Sequence, residues 1–112
     1  MKKIPAVYIS HILTCINAIL DYTQNMDERE FLNNKLVQDA VLRNFEVIGE
    51  ATKQLDEAFR AKHPHIPWRQ MAGLRDKLIH DYMGVDIWAV WQVVAEVLPQ
   101  QKTDFDAMLK DE

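Results

Sequence analysis

The segment KLVQDAVLRNFEVIGEATKQLDEAFRAK, residues 35–62, indicates the fold class most clearly, because its apolar side chains recur at helical spacing. The apolar positions that define one face are Val41, Phe45, Ile48, Leu55 and Phe59. A face of this kind is typical of a helix that packs on a core. The segment therefore predicts one long helix from about Lys35 to Lys62.

The residues before this segment also predict helices. A first helix should run from about Ile4 to Tyr22, with its apolar stripe at Val7, Ile12, Ile16 and Ile19. Asp27 is followed three residues later by Glu30, the spacing of a capping box, in which the two side chains satisfy the first amides of a helix. This pair predicts a short helical turn through Phe31 and Leu32.

The residues after it continue the helical pattern. The prolines of residues 63–67 break the long helix, and Pro67 suits the start of a helix from about Trp68 to Ile79. Met83-Gly84 predicts a turn, and Asp86 can cap a fifth helix to about Leu98. Pro99 should end or bend that helix and leave a polar, acidic tail. Nothing alternates with period two, so the prediction is one domain, residues 1–112, folded as an all-α antiparallel bundle of about five helices.

Composition limits the class of protein. Hydrophobic residues make up 48% of the 112, enough for one core, and the only cysteine, Cys15, is predicted to be a buried filler. The net charge of −4 argues against a dedicated nucleic-acid binder but allows an enzyme with a focused cationic cleft. No segment has the length of a membrane span or the pattern of a signal peptide, so a cytoplasmic protein is expected.

The segment RDKLIHDY, residues 75–82, combines the residue types that metal-free phosphodiester cleavage requires. Arg75 can grip phosphate oxygens in pairs, and His80 can exchange a proton near neutral pH. The two residues are about 140° apart around an ideal helix. Either the helix ends near Ile79 and lets His80 swing back, or a second copy of the chain supplies the missing group. Asp76 shares a face with His80 and could orient its imidazole.

Other residues have both a chemical and an ordinary interpretation. Glu46 and Glu50 could support a site on a neighbouring helix, since Gly49 between them predicts close packing, or they could form solvated ion pairs with Arg43. Tyr82 could bind a base or phosphate, or only pack. His63 and His65 lack the companions of a metal site, and no metal is expected.

The helix from Asp86 is apolar on most sides. It contains two tryptophans and four valines: Trp88, Val90, Trp91, Val93, Val94 and Val97. A helix of this kind is either central in the bundle or buried between subunits. A homodimer is therefore expected.

Three blocks of the sequence resemble the HepT-like proteins of the HEPN superfamily. Arg75, His80 and Tyr82 match the R-x4-H-x-Y motif, and residues 43–51 resemble the stretch R-x-x-E-x-I-G-E-A. Residues 66–68 and 73–75, and the pairs at 85–86 and 90–91, follow in family order. The similarity covers nearly the whole chain.

The resemblance implies a helical homodimer that acts as the toxin of a toxin–antitoxin pair, of type II or type VII. The activity it implies is an endoribonuclease without a cofactor, acting on mRNA or tRNA, with Arg75 and His80 of both protomers in one cleft. The implied partner is an MntA-like nucleotidyltransferase antitoxin, which transfers AMP to the motif tyrosine, here Tyr82.

A different class of function agrees with the same fold. The chain could be a non-catalytic helical module that binds a nucleotide or a nucleotidyltransferase subunit. Arg75 and His80 would then bind nucleotide or stabilise the dimer, and Tyr82 would only pack.

Overall fold

The computed structural model of the chain describes residues 4–80 and 86–111, and for residues 75–80 it describes the backbone alone. Within this range the chain is helical, without a β-strand. The helices are α1 Pro5–Tyr22, α2 Glu28–Leu32, α3 Lys35–Lys53, α4 Glu57–Ala61, α5 Trp68–His80, α6 Ile87–Gln92, a π-helical segment Val93–Val97, and α7 Leu98–Asp111. The all-α prediction is confirmed, and the predicted turn at Met83-Gly84 lies outside the described residues.

The predicted helix starts are confirmed by their caps. The Asp27 carboxylate accepts from the Glu30 amide at 2.8 Å, and the Asp27 amide donates to the Glu30 carboxylate at 3.1 Å, which completes the capping box of α2. Asp86 caps α6 by accepting from the Ala89 amide at 3.2 Å. Pro67 directly precedes α5, and its carbonyl accepts from the Met71 amide. Each cap is a contact between near neighbours in the chain.

The predicted long helix from Lys35 to Lys62 is wrong at its centre. The helix stops at Lys53, and α4 begins after Asp56, whose carboxylate accepts from the Phe59 amide at 2.8 Å. This N-cap stabilises a new helix start. Leu55 is buried in the connection between the two helices, so the apolar periodicity hides the break.

The predicted acidic tail after Pro99 is also wrong. Proline has no amide to donate and crowds the preceding turn. The chain adopts π-helical geometry over Val93–Val97, directly before Pro99, and then continues as α7 to Asp111. Phe105 and Met108 of α7 are buried, and α7 packs against α1. The break in α3 and this extra helix give more elements than the five expected.

The core lies between α1, α3, α5 and α7. Helix α3 packs against α1 on one side and α5 on the other, while α2 and α6 pack together at one end. Ile12, Ile16 and Ile19 of α1 have no exposed surface, as predicted, but Val7 is 58% exposed and is not part of the core. Trp91 packs on Phe31 with ring centroids 5.2 Å apart, whereas Trp88 is half exposed. Helix α6, which has no buried residue, is therefore peripheral in the single chain.

Candidate active site

The two helices that carry the predicted site residues pack against each other. Helix α3 contains Glu46 and Glu50, and α5 contains Arg75, Asp76 and His80. Gly49 of α3 is buried, in agreement with the expectation that this position lies in a helix contact. The fold therefore places the α3 carboxylates and the Arg75 helix in one part of the molecule.

The first half of α5 is tied firmly to the core. The Trp68 indole N–H donates to the carbonyls of Arg60 at 3.1 Å and His63 at 2.9 Å, and its ring meets Phe105 edge-on at 5.8 Å. Trp68 and Met71 are buried. Because a helix transmits its orientation along its axis, these contacts set the direction of the segment that contains Arg75 and His80.

The spacing of the motif residues along α5 limits which of them one chain can bring together. Helix α5 extends through His80, one residue beyond the predicted end. Positions 75 and 80 are therefore separated by about 140° around the axis, and positions 76 and 80 lie on one face. Tyr82 lies outside the described residues. The described residues do not decide between the two arrangements considered for Arg75 and His80, which are a helix end near Ile79 and a second copy of the chain.

Glu46 takes part in an ordinary surface ion pair. Its half-buried carboxylate lies 3.3 Å from the guanidinium of Arg43, whose side chain is 69% exposed. Exposed pairs of this kind contribute at most about 1 kcal/mol. The spacing of Arg43 and Glu46 suggested a solvated ion pair, and this ion pair is present. A supporting role of Glu46 in catalysis stays a prediction.

Glu50 lies on the wall of a groove that sequence reasoning did not identify. The groove has a volume of about 210 Å³ and is lined by residues of α1 and α3 and the α3 C-cap: Tyr8, His11, Val47, Glu50, Ala51 and Gln54. The sequence analysis did not identify Tyr8 and His11, because the other residues that line the groove are about forty positions away in the chain. One sequence signal was available, since residues 5–20 contain no Asp, Glu, Lys or Arg although one face of α1 is exposed.

Cys15 is buried on the inner side of α1, as predicted. Burial raises the pKa of its thiol above the ordinary value of 9.0, and the positive charge of Arg43 opposes this shift only in part. The thiol is protonated at neutral pH, and a protonated, buried thiol is a poor nucleophile. Cys15 is therefore part of the core.

The described part of the chain lacks two features that would indicate other classes of protein. Across residues 4–74 and 86–111, no three His, Cys, Asp or Glu side chains cluster in a way that could hold a metal ion. In the same ranges, no helix has both the length and the apolar character that a bilayer span requires.

Comparison with known families identifies the chain. The family model described as ribonuclease HepT-like matches residues 12–108, which includes all of α3 and α5. The chain belongs to the HepT-like ribonuclease family. The resemblance drawn from the three sequence blocks is confirmed.

Relatives of this HepT-like chain cover nearly its whole length. A Methanocaldococcus jannaschii protein described as a candidate RNase is 44% identical over 110 residues, 98% of this chain and 95% of that protein. A Thermococcus cleftensis protein described as a candidate ribonuclease HepT is 42% identical over 98% of this chain and 100% of its own length.

One HepT-like relative is about twice as long. It is a Methanocaldococcus jannaschii protein described as a gamma-glutamylcyclotransferase and candidate RNase, 41% identical over 99% of this chain and 50% of that protein. No solved structure matches the chain at a significant level.

Proposed function

We propose that the protein is a metal-independent endoribonuclease and the toxin of a toxin–antitoxin pair, with residues 1–112 forming one HepT-like domain. The observation that carries the proposal is the family match over residues 12–108, a range that includes the R-x4-H-x-Y segment with Arg75 and His80. The names of the relatives, which describe candidate ribonucleases, support it.

The proposed reaction uses the nucleophile that RNA itself provides. His80 removes the proton of the 2′-hydroxyl, the 2′-oxygen forms a bond to phosphorus, and the bond from phosphorus to the 5′-oxygen breaks. The leaving 5′-oxygen takes a proton from a second acid, which a partner protomer's copy of the motif can supply. Arg75 stabilises the negative charge on the pentavalent phosphorus. The products are a 2′,3′-cyclic phosphate and a 5′-hydroxyl.

A homodimer would complete this site. The separation of about 140° between positions 75 and 80 means that one straight helix presents them to different sides. Two copies of α5 related by a two-fold axis can bring Arg75 of one protomer beside His80 of the other. Asp76, which shares a helix face with His80, is proposed to hold the imidazole in one tautomer.

Regulation is proposed to act on Tyr82. An MntA-like nucleotidyltransferase antitoxin would transfer AMP from ATP to the phenolic oxygen, with pyrophosphate leaving. The new phosphodiester adds bulk and negative charge at a site that must accept an RNA phosphate. A site of this kind also explains how a protein of net charge −4 can cut RNA, because the RNA would bind only at one small cationic cleft.

RNA cleavage in EDTA tests the proposal. The purified protein, shown by mass spectrometry to lack AMP on Tyr82, is incubated with total RNA and tRNA beside Arg75→Ala and His80→Ala. Arg69→Ala, another arginine of α5 with an exposed side chain, and His65→Ala, an exposed loop histidine, are the matched controls. The proposal expects losses of about 10²–10⁴-fold for the two motif variants and near-parental rates for the controls.

The alternative function predicts a different result. If unmodified parent cuts neither total RNA nor tRNA, a non-catalytic partner of a nucleotidyltransferase is the better account. Dimer mass and circular dichroism of each variant separate loss of chemistry from loss of fold.

A further inference from the structure

The groove between α1 and α3 has the dimensions and walls of a binding site for one small planar group. Its volume of about 210 Å³ lies below the range of about 300–1,000 Å³ typical of pockets for larger ligands. Val47 and Ala51 supply an aliphatic surface, and Tyr8 and His11 supply two aromatic rings. We refer to it as the α1–α3 groove.

We infer that the α1–α3 groove binds one unstacked RNA base, and that the preferred bases carry an exocyclic amino group. The inference rests on the proposed ribonuclease function and names part of its substrate selectivity. Proteins that read single-stranded RNA stack exposed bases on aromatic side chains and bond to the base edges. The groove offers both kinds of contact.

The aromatic wall is available to a ligand. Tyr8 is half-buried and His11 is exposed, and both lie on the outer side of α1, one turn apart. Within the described part of the chain, neither side chain takes part in a hydrogen bond, an ion pair or a ring contact. Rings that stabilise the fold are usually enclosed and, where polar, hydrogen-bonded. These two rings are instead exposed at a cavity.

The polar wall favours particular bases. The Glu50 carboxylate only accepts hydrogen bonds, while the Gln54 amide both donates and accepts. Adenine, cytosine and guanine each present an exocyclic amino group that can donate to a carboxylate. Uracil presents only its N3–H as a donor, and the carbonyl oxygens on both sides of that N–H repel a carboxylate. The groove should therefore bind amino-bearing bases more tightly than uracil.

The surroundings of the groove suit an RNA chain. Lys53 follows Glu50 by three residues, and Arg43 precedes Val47 by four, so both lie on the same side of α3 as the groove, and both are exposed. They can approach the phosphates on either side of a bound base. The stretch of α1 from Pro5 to Leu20 has no carboxylate that would repel the backbone.

Cleavage kinetics test the inference with a histidine pair. His11→Ala is expected to raise KM for an RNA of mixed sequence about tenfold and to leave kcat within about twofold, because stacking contributes to binding and not to the chemistry. His65→Ala is the matched control and should change neither constant. His11→Phe, which keeps a ring, should restore most of the lost affinity. An unchanged KM, an equal effect of His65→Ala, or a loss in kcat alone would overturn the inference.

Nucleotide titration tests the base preference without cleavage. AMP, CMP and UMP are added to the His80→Ala protein while the imidazole proton signals of its three remaining histidines are followed by NMR. AMP and CMP should shift the His11 signal, and UMP should bind about tenfold more weakly. Equal binding of UMP, or no shift of the His11 signal with any nucleotide, would contradict the inference.

The two experiments separate this inference from the proposed function. If the parent cuts RNA and His80→Ala does not, while His11→Ala changes neither KM nor nucleotide binding, the ribonuclease stands and the groove site fails. If the parent cuts no RNA, the ribonuclease fails, and the titration still decides whether the groove binds a base. If His11→Ala instead lowers the dimer mass, the groove holds a second copy of the chain, and the inference is wrong.

Discussion

Within residues 4–74 and 86–111, two places bring a histidine and an aromatic residue together, and they differ in what encloses the rings. In the Trp68 cluster, formed by Phe59, His63, Trp68 and Phe105, ring centroids are 5.0–6.3 Å apart and the indole N–H bonds to two carbonyls. In the α1–α3 groove, Tyr8 and His11 form a wall of an open cavity.

This difference in enclosure indicates which rings stabilise the fold and which are available to bind a ligand. Enclosed rings with satisfied polar atoms contribute their buried area and their hydrogen bonds to folding. Rings at an open wall contribute little to folding and keep their faces for a ligand. The same residue types therefore serve two purposes, and exposure distinguishes them.

The largest expected effect is in the Trp68 cluster. Trp68→Ala should lower the free energy of unfolding by about 3–5 kcal/mol, because it empties a buried site and removes the indole hydrogen bonds to the Arg60 and His63 carbonyls. Trp88→Ala is the matched control, since Trp88 is 50% exposed and its indole donates to the Glu28 carboxylate. Urea unfolding measures both. Equal losses for the two tryptophans would contradict the assigned role of the cluster.

A smaller effect is expected at the start of α4, the helix that holds Phe59 in the cluster. Asp56→Ala should cost about 1 kcal/mol of unfolding free energy, because the Phe59 amide loses its cap. Asp56→Asn, which keeps a capping oxygen, should restore most of the loss. If Asp56→Ala is neutral in urea unfolding, the break between α3 and α4 does not depend on this cap.

The core-facing side of α1 should be inaccessible to reagents, although its outer side is exposed at the groove. Iodoacetamide should alkylate Cys15 at pH 8 at least about tenfold more slowly in the folded protein than in concentrated urea, because burial raises the thiol pKa and blocks access. The raised pKa also sets the direction of a pH effect. Its contribution to stability is present below the unfolded pKa and is lost as pH rises through the folded pKa. Equal alkylation rates would show that the core beneath the groove opens.

The smallest expected effect on stability is at the groove itself. His11→Ala should change the free energy of unfolding by less than about 0.5 kcal/mol, because His11 is exposed. Measured beside Trp68→Ala, this variant gives the sharpest contrast between the two regions. A loss of more than about 1 kcal/mol would place His11 among the residues that hold α1 to α3.

Much of the fold follows from short-range patterns. The capping box at Asp27, the cap at Asp86 and the start of α5 after Pro67 were all predicted, because each depends on residues within three or four positions of one another. The identity of the family was predicted from three blocks of residues. The placement of Arg75 and Asp76 on one helix was predicted as well, whereas His80, the last residue of α5, lies one residue beyond the predicted end.

The two errors in the prediction have different physical origins. The connection at Leu55 was read as helix because a buried apolar residue has the same period whether it lies in a helix or beside one. The continuation past Pro99 depends on a π-helical segment, and the polar composition of α7 concealed Phe105 and Met108. At Leu55 the apolar period concealed a local cap at Asp56, whereas after Pro99 the packing of α7 on α1 outweighed the local signal.

Local sequence thus specified where helices begin and which residues form the R-x4-H-x-Y motif, because caps and motifs are made by near neighbours. Packing between helices set how α7 joins the core and that Tyr8 and His11 line one groove with Glu50 and Gln54. The reason is the range of the interactions. A hydrogen bond at a helix end spans three residues, whereas the α1–α3 groove joins residues about forty positions apart, which only a folded chain brings together.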